Sequence, residues 1–383
     1  MSSMRVIFDA RSVVSHASGI GNYAASLLRH MVGSDDDTIF TVLRNSQSAE
    51  PLVDSDKVRE VVLIPGETKS VATLLSSKRV MKLREHDLYH SPSDIVPMCL
   101  PCPFVATMHD MMWIEKPRLA ASFLPTRIAM HYWYKSHYTH SIRKARRVIA
   151  VSKSTSDAIA RLFPDQASKI RVVHHGIDRE RFCRAKVPAR NILDSWVPRG
   201  SPFALAVGQG SPYKNHPNII RAFLQATSDM PDHRLVLVQR FSRRDSELRH
   251  LLASQDVRQK VLVYSFVPDD VLMALYGYAQ MLLFASLYEG CGMPAMEAMA
   301  LETPVVASQA PALVEMTGDA ALHAEADNVS DISRKIRSLI CDDTLRRSLI
   351  EKGLQRIGMF TWDKCASATL SVYREAVSDI PRR

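Results

Sequence analysis

Ser286-Leu-Tyr-Glu-Gly-Cys-Gly-Met-Pro-Ala-Met-Glu-Ala-Met-Ala300 is the most informative stretch of the 383 residues. It follows an apolar run, Met281-Leu-Leu-Phe284, that reads as a buried strand. Pro294 suits the first position of a helix, where its missing N–H would have no partner anyway. Gly290 and Gly292 let the backbone approach a ligand closely. The segment therefore predicts a strand, a glycine-containing loop and a helix N-terminus. Free N–H groups and the helix dipole make such a terminus an anion site, suited to a diphosphate. Two carboxylates flank it, Glu289 in the loop and Glu297 about one turn inside the helix. Either alone reads equally well as a loop residue or a helix-surface residue. The whole fifteen-residue pattern does not.

Working outward, both halves of the chain alternate short β-branched runs with amphipathic stretches, the pattern of βαβ units and parallel sheets. Strands are predicted at 5–9, 38–43, 59–64, 87–90, 103–107, 146–151 and 170–173. In the second half they are predicted at 203–207, 234–239, 260–264, 280–284 and 304–307. Helices are predicted at 19–32, 215–228, 269–277 and 294–300, with a last one from Phe360-Thr-Trp362 through Tyr373. The length calls for two domains. Pro188, Pro198 and Gly200 break periodicity near 184–200, so the domains are expected at 1–190 and 200–361, with the C-terminal helix 362–383 joining the first. Doubly wound domains bind ligands at the carboxyl ends of their strands, in the crevice. The site is therefore sought in the loops that follow strands.

Three such loops carry chemistry. Val207-Gly-Gln-Gly-Ser-Pro-Tyr-Lys-Asn215 follows the opening strand of the second half, and Lys214 offers a compact ammonium for phosphate. Ala106-Thr-Met-His-Asp110 places His109 and Asp110 at a strand end, where a lone histidine is otherwise a core residue. Ser18-Gly-Ile-Gly21 precedes a helix near Asn22, and Asp9 and Arg11 end the first strand. A glycine loop of this kind is a weak signal by itself, and strand-end capping is an equal reading of Asp9 and Arg11.

Taken together, Glu289 and Glu297, with Gly290, Gly292 and Pro294 between them, resemble the paired-glutamate motif of family 4 of the retaining glycosyltransferases. The resemblance runs through nearly the whole chain, with echoes at Val151-Ser-Lys-Ser154, His174-His-Gly-Ile-Asp178 and Ser265-Phe-Val-Pro268. It implies the GT-B fold: two Rossmann-like, doubly wound parallel-sheet domains facing across a deep cleft. It implies a nucleotide-sugar donor held by Gly208, Lys214, Phe266, Val267, Glu289, Gly290, Cys291, Gly292, Met293 and Glu297. Glu297 would take the ribose hydroxyls, Glu289 the donor sugar or its departing phosphate, and Phe266 and Val267 the nucleobase. His109 would reach the donor sugar, joining Glu289 and Lys214 as catalytic residues. Asp9, Gly19, Ile20, Gly21 and Asp110 would face the acceptor. Many members carry an arginine beside the lysine; here Gln209 and Tyr213 stand there, leaving Arg240, Arg243 or Arg244 to supply a second charge. The family often has Asn where His175 stands.

The resemblance is strongest to bacterial mannosyltransferases that use GDP-mannose in polysaccharide biosynthesis, with a polysaccharide, O-antigen or lipid-linked saccharide as acceptor. A UDP-hexose donor is the alternative. No cofactor and no metal are expected; no Asp-x-Asp pair is present. A related epimerase or phosphorylase would need groups that no segment supplies.

Charge and composition set the setting. Residues 1–199 hold 29 Lys and Arg against 19 Asp and Glu; residues 200–383 hold 20 against 21. The basic half, with the stretches Ser77–Arg84 and His131–Arg147, suits an anionic membrane surface. The rival of another class is a non-catalytic binder of membrane or nucleic acid through that half; for the enzyme, no nucleic-acid partner is expected. No run reaches the ~20 apolar residues of a membrane span, and the chain opens directly into a strand, so a cytoplasmic, peripheral enzyme is expected. The six cysteines imply no disulfide framework. Cys99-Leu-Pro-Cys102 lacks the second ligand pair of a zinc site.

Overall fold

Short apolar runs bounded by turns become strands buried on both faces, which is what a parallel sheet covered by helices demands. The computed structural model describes residues 3–14, 19–45, 51–63, 85–98, 100, 102–121, 123–240 and 246–378. Its strands are β1 (Met4–Asp9), β2 (Thr38–Asn45), β3 (Val58–Leu63), β4 (Leu88–Ser91), β5 (Phe104–Met108), β6 (Arg147–Ala150) and β7 (Ile170–Val172), then β8 (Phe203–Gln209), β9 (Arg234–Arg240), β10 (Val261–Tyr264), β11 (Met281–Phe284), β12 (Val305–Ser308) and β13 (Ala321–Ala324). The first seven form one sheet, in the order β3-β2-β1-β4-β5-β6-β7, and the rest a second, β10-β9-β8-β11-β12-β13. Every pairing is parallel. Twelve of the strands fall where periodicity predicts them. β13, Ala-Leu-His-Ala at a sheet edge, has no β-branched residue and gives no sequence signal.

Each sheet has its own core. In the first, Val6 and Phe8 meet Tyr23, Leu27 and Met31 of the helix Gly19–Ser34 and Leu370 and Tyr373 of the helix Trp362–Ser378. That last helix approaches so closely that a Cβ on Gly176 would lie 2.3 Å from the backbone N of Trp362. In the second, Leu235, Leu237 and Leu283 pack with Ile219, Phe223, Ile332 and Ile336.

The units divide differently from the sequence expectation. Unit 1 comprises 1–114, 131–176 and 360–383; unit 2 comprises 115–130 and 177–359. The irregular chain after Gly176 belongs wholly to unit 2 because its side chains anchor there. Arg184 donates to Gly277 O, Arg190 donates to Ser201 O at 3.3 Å, and Leu193 is buried. The proline-rich break at 184–200 thus marks irregular backbone and not the boundary.

Among the described residues, no helix is long and apolar enough to cross a membrane. Ser77–Arg84, Ser18, Cys99, Arg243 and Arg244, and the side chain of Arg240, lie outside what the structure describes.

Candidate active site

In unit 2 the strand order reverses between β8 and β11, the switch point where open α/β sheets bind ligands. The loops after these two strands carry Lys214 and Glu289, and Lys214 Nζ donates to Glu289 Oε1 at 2.6 Å. Both side chains are largely buried, at 8% and 11% exposure. The lysine stem lies on Gly208, where a Cβ would come within 3.1–3.3 Å of it. Its ammonium stands 4.7 Å from the centroid of the Phe284 ring and 5.0 Å from that of Tyr213, cation–π contacts worth most when water is excluded. The two loops are tied together: Leu287 N donates to Tyr213 O at 2.7 Å. Asn215, in the left-handed region at φ 59°, donates through Nδ2 to Ala285 O at 3.0 Å and Ala326 O at 2.7 Å. Asparagine tolerates that conformation better than most residues.

The helix Met293–Ala300 begins at Gly292, whose φ of +97° and lack of Cβ are both required; a Cβ would lie 2.4 Å from Leu313 Cδ2. No side chain caps this terminus, and Pro294, which has no N–H, occupies its first turn. Ala295 N donates to Gly292 O at 3.0 Å, so what the terminus offers an anion is chiefly the positive end of the helix dipole. Cys291 is buried beside it and Met293 half-buried. One turn on, Glu297 is half-buried and accepts from Tyr276 Oη at 3.0 Å. Burial raises its pKa, an effect the Tyr276 bond partly offsets. Phe266 and Val267 part company: Phe266 is 69% exposed and Val267 5%. The Phe266 ring therefore faces solvent, while the Val267 side chain packs into the core and leaves only its backbone groups to offer a ligand.

In unit 1, His109 follows β5. Its backbone N–H donates to Asp94 Oδ1 at 2.6 Å, and its ring Nε2 lies 2.9 Å from Pro92 O. A carbonyl can only accept, so Nε2 carries the proton. Burial lowers the pKa of the ring, which leaves Nδ1 as an acceptor. The ring stands edge-on to Tyr23 at 5.0 Å and His175 at 5.4 Å, and these two stack at 4.4 Å. Asp110 accepts from Met112 N at 2.8 Å, so one of its oxygens orders the turn that follows. Gly19 is exposed, Ile20 half-buried and Gly21 buried in the first turn of their helix.

Asp9 ends β1. It is 3% exposed and accepts from Arg11 Nε and NH2 at 2.7 and 2.6 Å and from Tyr89 Oη at 2.5 Å. Burial works to raise its pKa, but these partners hold it below the usual carboxylate range. With both oxygens engaged inside the core, Asp9 orders the end of β1.

Sequence reasoning missed Asn215, Tyr276 and the bond from Tyr288 Oη to Glu115 Oε2 at 2.8 Å. Asn215 was legible as the neighbour of Lys214. Tyr276 reads as an ordinary core residue, and no local signal links Glu115 to a residue 173 positions away.

Two Rossmann-like units, each with its own core and one with a lysine–glutamate pair and a bare helix start at its switch point, fit a GT-B glycosyltransferase. Residues 17–181 match the model described as Glycosyltransferase Family 4, and residues 192–356 match Glycosyl transferases group 1. The chain thus resembles the family 4 glycosyltransferases and, within them, mannosyltransferases. It is 26% identical to the O-antigen chain mannosyltransferase B of Escherichia coli, over 97% of this chain and 100% of that one. It is 28% identical to a D-inositol 3-phosphate glycosyltransferase of Salinispora tropica, over 72% and 60%. Among solved structures, sucrose-phosphate synthase from Thermosynechococcus elongatus superposes with a TM-score of 0.72 at 19% identity, covering 99% of this chain and 100% of that one.

Proposed function

We propose that this glycosyltransferase is a retaining enzyme that moves mannose from GDP-mannose to a polysaccharide, O-antigen or lipid-linked saccharide, forming an α-linkage. The observation that carries a diphosphate-bearing donor is the Lys214–Glu289 pair beside the uncapped start of the helix Met293–Ala300. Lys214 and the positive end of the helix dipole stabilise the charge that develops on the departing diphosphate. These groups supply the positive charge that a metal would otherwise bring. Glu297 has Oε1 left to accept from the ribose, since Tyr276 takes Oε2. His109 accepts a sugar hydroxyl at Nδ1. The choice of mannose leans on the names of the mannosyltransferase relatives; a UDP-hexose is the second reading.

A thermal-shift series with GDP-mannose, GDP, UDP-glucose and UDP tests this, because a ligand that binds only the folded state raises Tm. Stabilisation by the guanosine compounds alone, abolished by Glu297→Ala, is expected. Stabilisation by a uridine compound alone would replace the donor, and no shift with any nucleotide would sink the reading.

The acceptor is carried by a membrane in this reading, and the enzyme works at its cytoplasmic face. Residues 116–156 contain nine Lys and Arg and no Asp or Glu. Within them the helix Leu124–Lys144 exposes Leu124, Ile128 and Tyr132 at successive turns. Apolar side chains that enter the interface beside cations that meet anionic headgroups are the features of a peripheral helix. Co-sedimentation with phosphatidylserine vesicles measures it.

A further inference from the structure

Lys214 is already paired. Its ammonium sits against Glu289 Oε1, with aromatic rings on its flanks and little water around it. Glu289 Oε2 makes no hydrogen bond among the described residues. The pair thus presents one free carboxylate oxygen next to the cation that a diphosphate needs.

An intact sugar nucleotide and the product left after transfer ask different things of that arrangement. In the donor, the outer phosphate is a diester with one negative charge, and the attached sugar carries hydroxyls that can donate. Transfer breaks the bond between the anomeric carbon and the outer phosphate oxygen, which keeps the electron pair. The acceptor oxygen takes its place on the carbon, and the acceptor's proton passes to the departing phosphate. That phosphate is now a monoester, which loses protons to water until it carries roughly −1.5 to −2 at pH 7. It brings more negative charge and no donor hydroxyl.

We propose that Glu289 sets the preference of this site for the intact sugar nucleotide over the nucleoside diphosphate product. The proposal rests on the donor reading above. With donor bound, a sugar hydroxyl satisfies Oε2 while Lys214 is shared between Glu289 and the phosphates. With product bound, Oε2 has nothing to accept from and faces an added like charge in a half-buried site, where such repulsion is weakly screened. Lys214 cannot neutralise both anions. It returns to Glu289, and the product leaves. Product release limits turnover in many enzymes, so the same carboxylate favours turnover after the bond has broken.

Calorimetric titration of the whole protein with GDP, UDP and GDP-mannose tests the proposal on wild type, Glu289→Gln and Glu289→Asp. Glutamine keeps the shape and removes the charge. It should tighten the nucleoside diphosphate that wild type binds by about tenfold and leave the sugar nucleotide unchanged or weaker, so the product-to-donor Kd ratio collapses. Aspartate keeps the charge and should keep the wild-type preference. A folded Glu289→Gln protein, with wild-type Tm, that binds the diphosphate no more tightly than wild type overturns the proposal. Should wild type bind none of the three nucleotides, the donor reading itself fails and takes this proposal with it.

Discussion

At the end of β1 in unit 1, Asp9 lies inside the core with Arg11 and Tyr89 filling its oxygens. At the end of β8 in unit 2, Lys214 meets Glu289 with one carboxylate oxygen still unused. Both ion pairs are short and poorly hydrated, and both stand beside the point where their strand order reverses. They differ in completeness. The Asp9 pair is closed on itself, so its charge is spent on holding backbone. The Lys214 pair is open on one side, next to a helix start with no cap. A buried ion pair that satisfies every lone pair is structural; one that leaves a group over is available to a ligand.

That contrast can be broken by experiment. The largest effect should come from Asp9→Asn. It strands the Arg11 guanidinium in the core and should cost about 3–5 kcal/mol of stability, read by denaturant unfolding; a cost near zero would show that the pair is not structural. Lys214→Met should lower kcat roughly 10²–10³-fold, the loss seen when one transition-state donor is removed, and should abolish stabilisation by nucleotide. Full activity in that variant would place the diphosphate elsewhere. The smallest effect concerns the charge difference between the halves. Binding to phosphatidylserine vesicles should weaken several-fold in Leu124→Ser/Ile128→Ser and fade with added salt, as surface electrostatics do. Equal binding to neutral vesicles, or none to either kind, would remove the membrane from the account.

Much of this was legible beforehand. Strands such as Met281–Phe284 and Phe104–Met108 are uninterrupted apolar runs, and such runs have one stable environment, a sheet covered on both faces. Gly292 and Pro294 were legible because each answers a local backbone demand, whereas Gly208 was named only through the family resemblance. Residues whose roles depend on distant partners were not. Nothing near Asp9 says that Tyr89 will add a second donor to Oδ2, and nothing near Val267 says that its side chain turns inward while Phe266 faces solvent. The domain boundary failed for the same reason, since the anchors Arg184 and Arg190 act through Gly277 and Ser201.

The sequence by itself determined the alternation of strands and helices, the two sheets and the loops that hold the site, because periodicity, glycine and proline act over a few residues. Only the tertiary structure decided which charges remain usable. Whether a carboxylate is spent or available depends on desolvation and on every partner within hydrogen-bond reach, and folding brings those partners from anywhere along the chain.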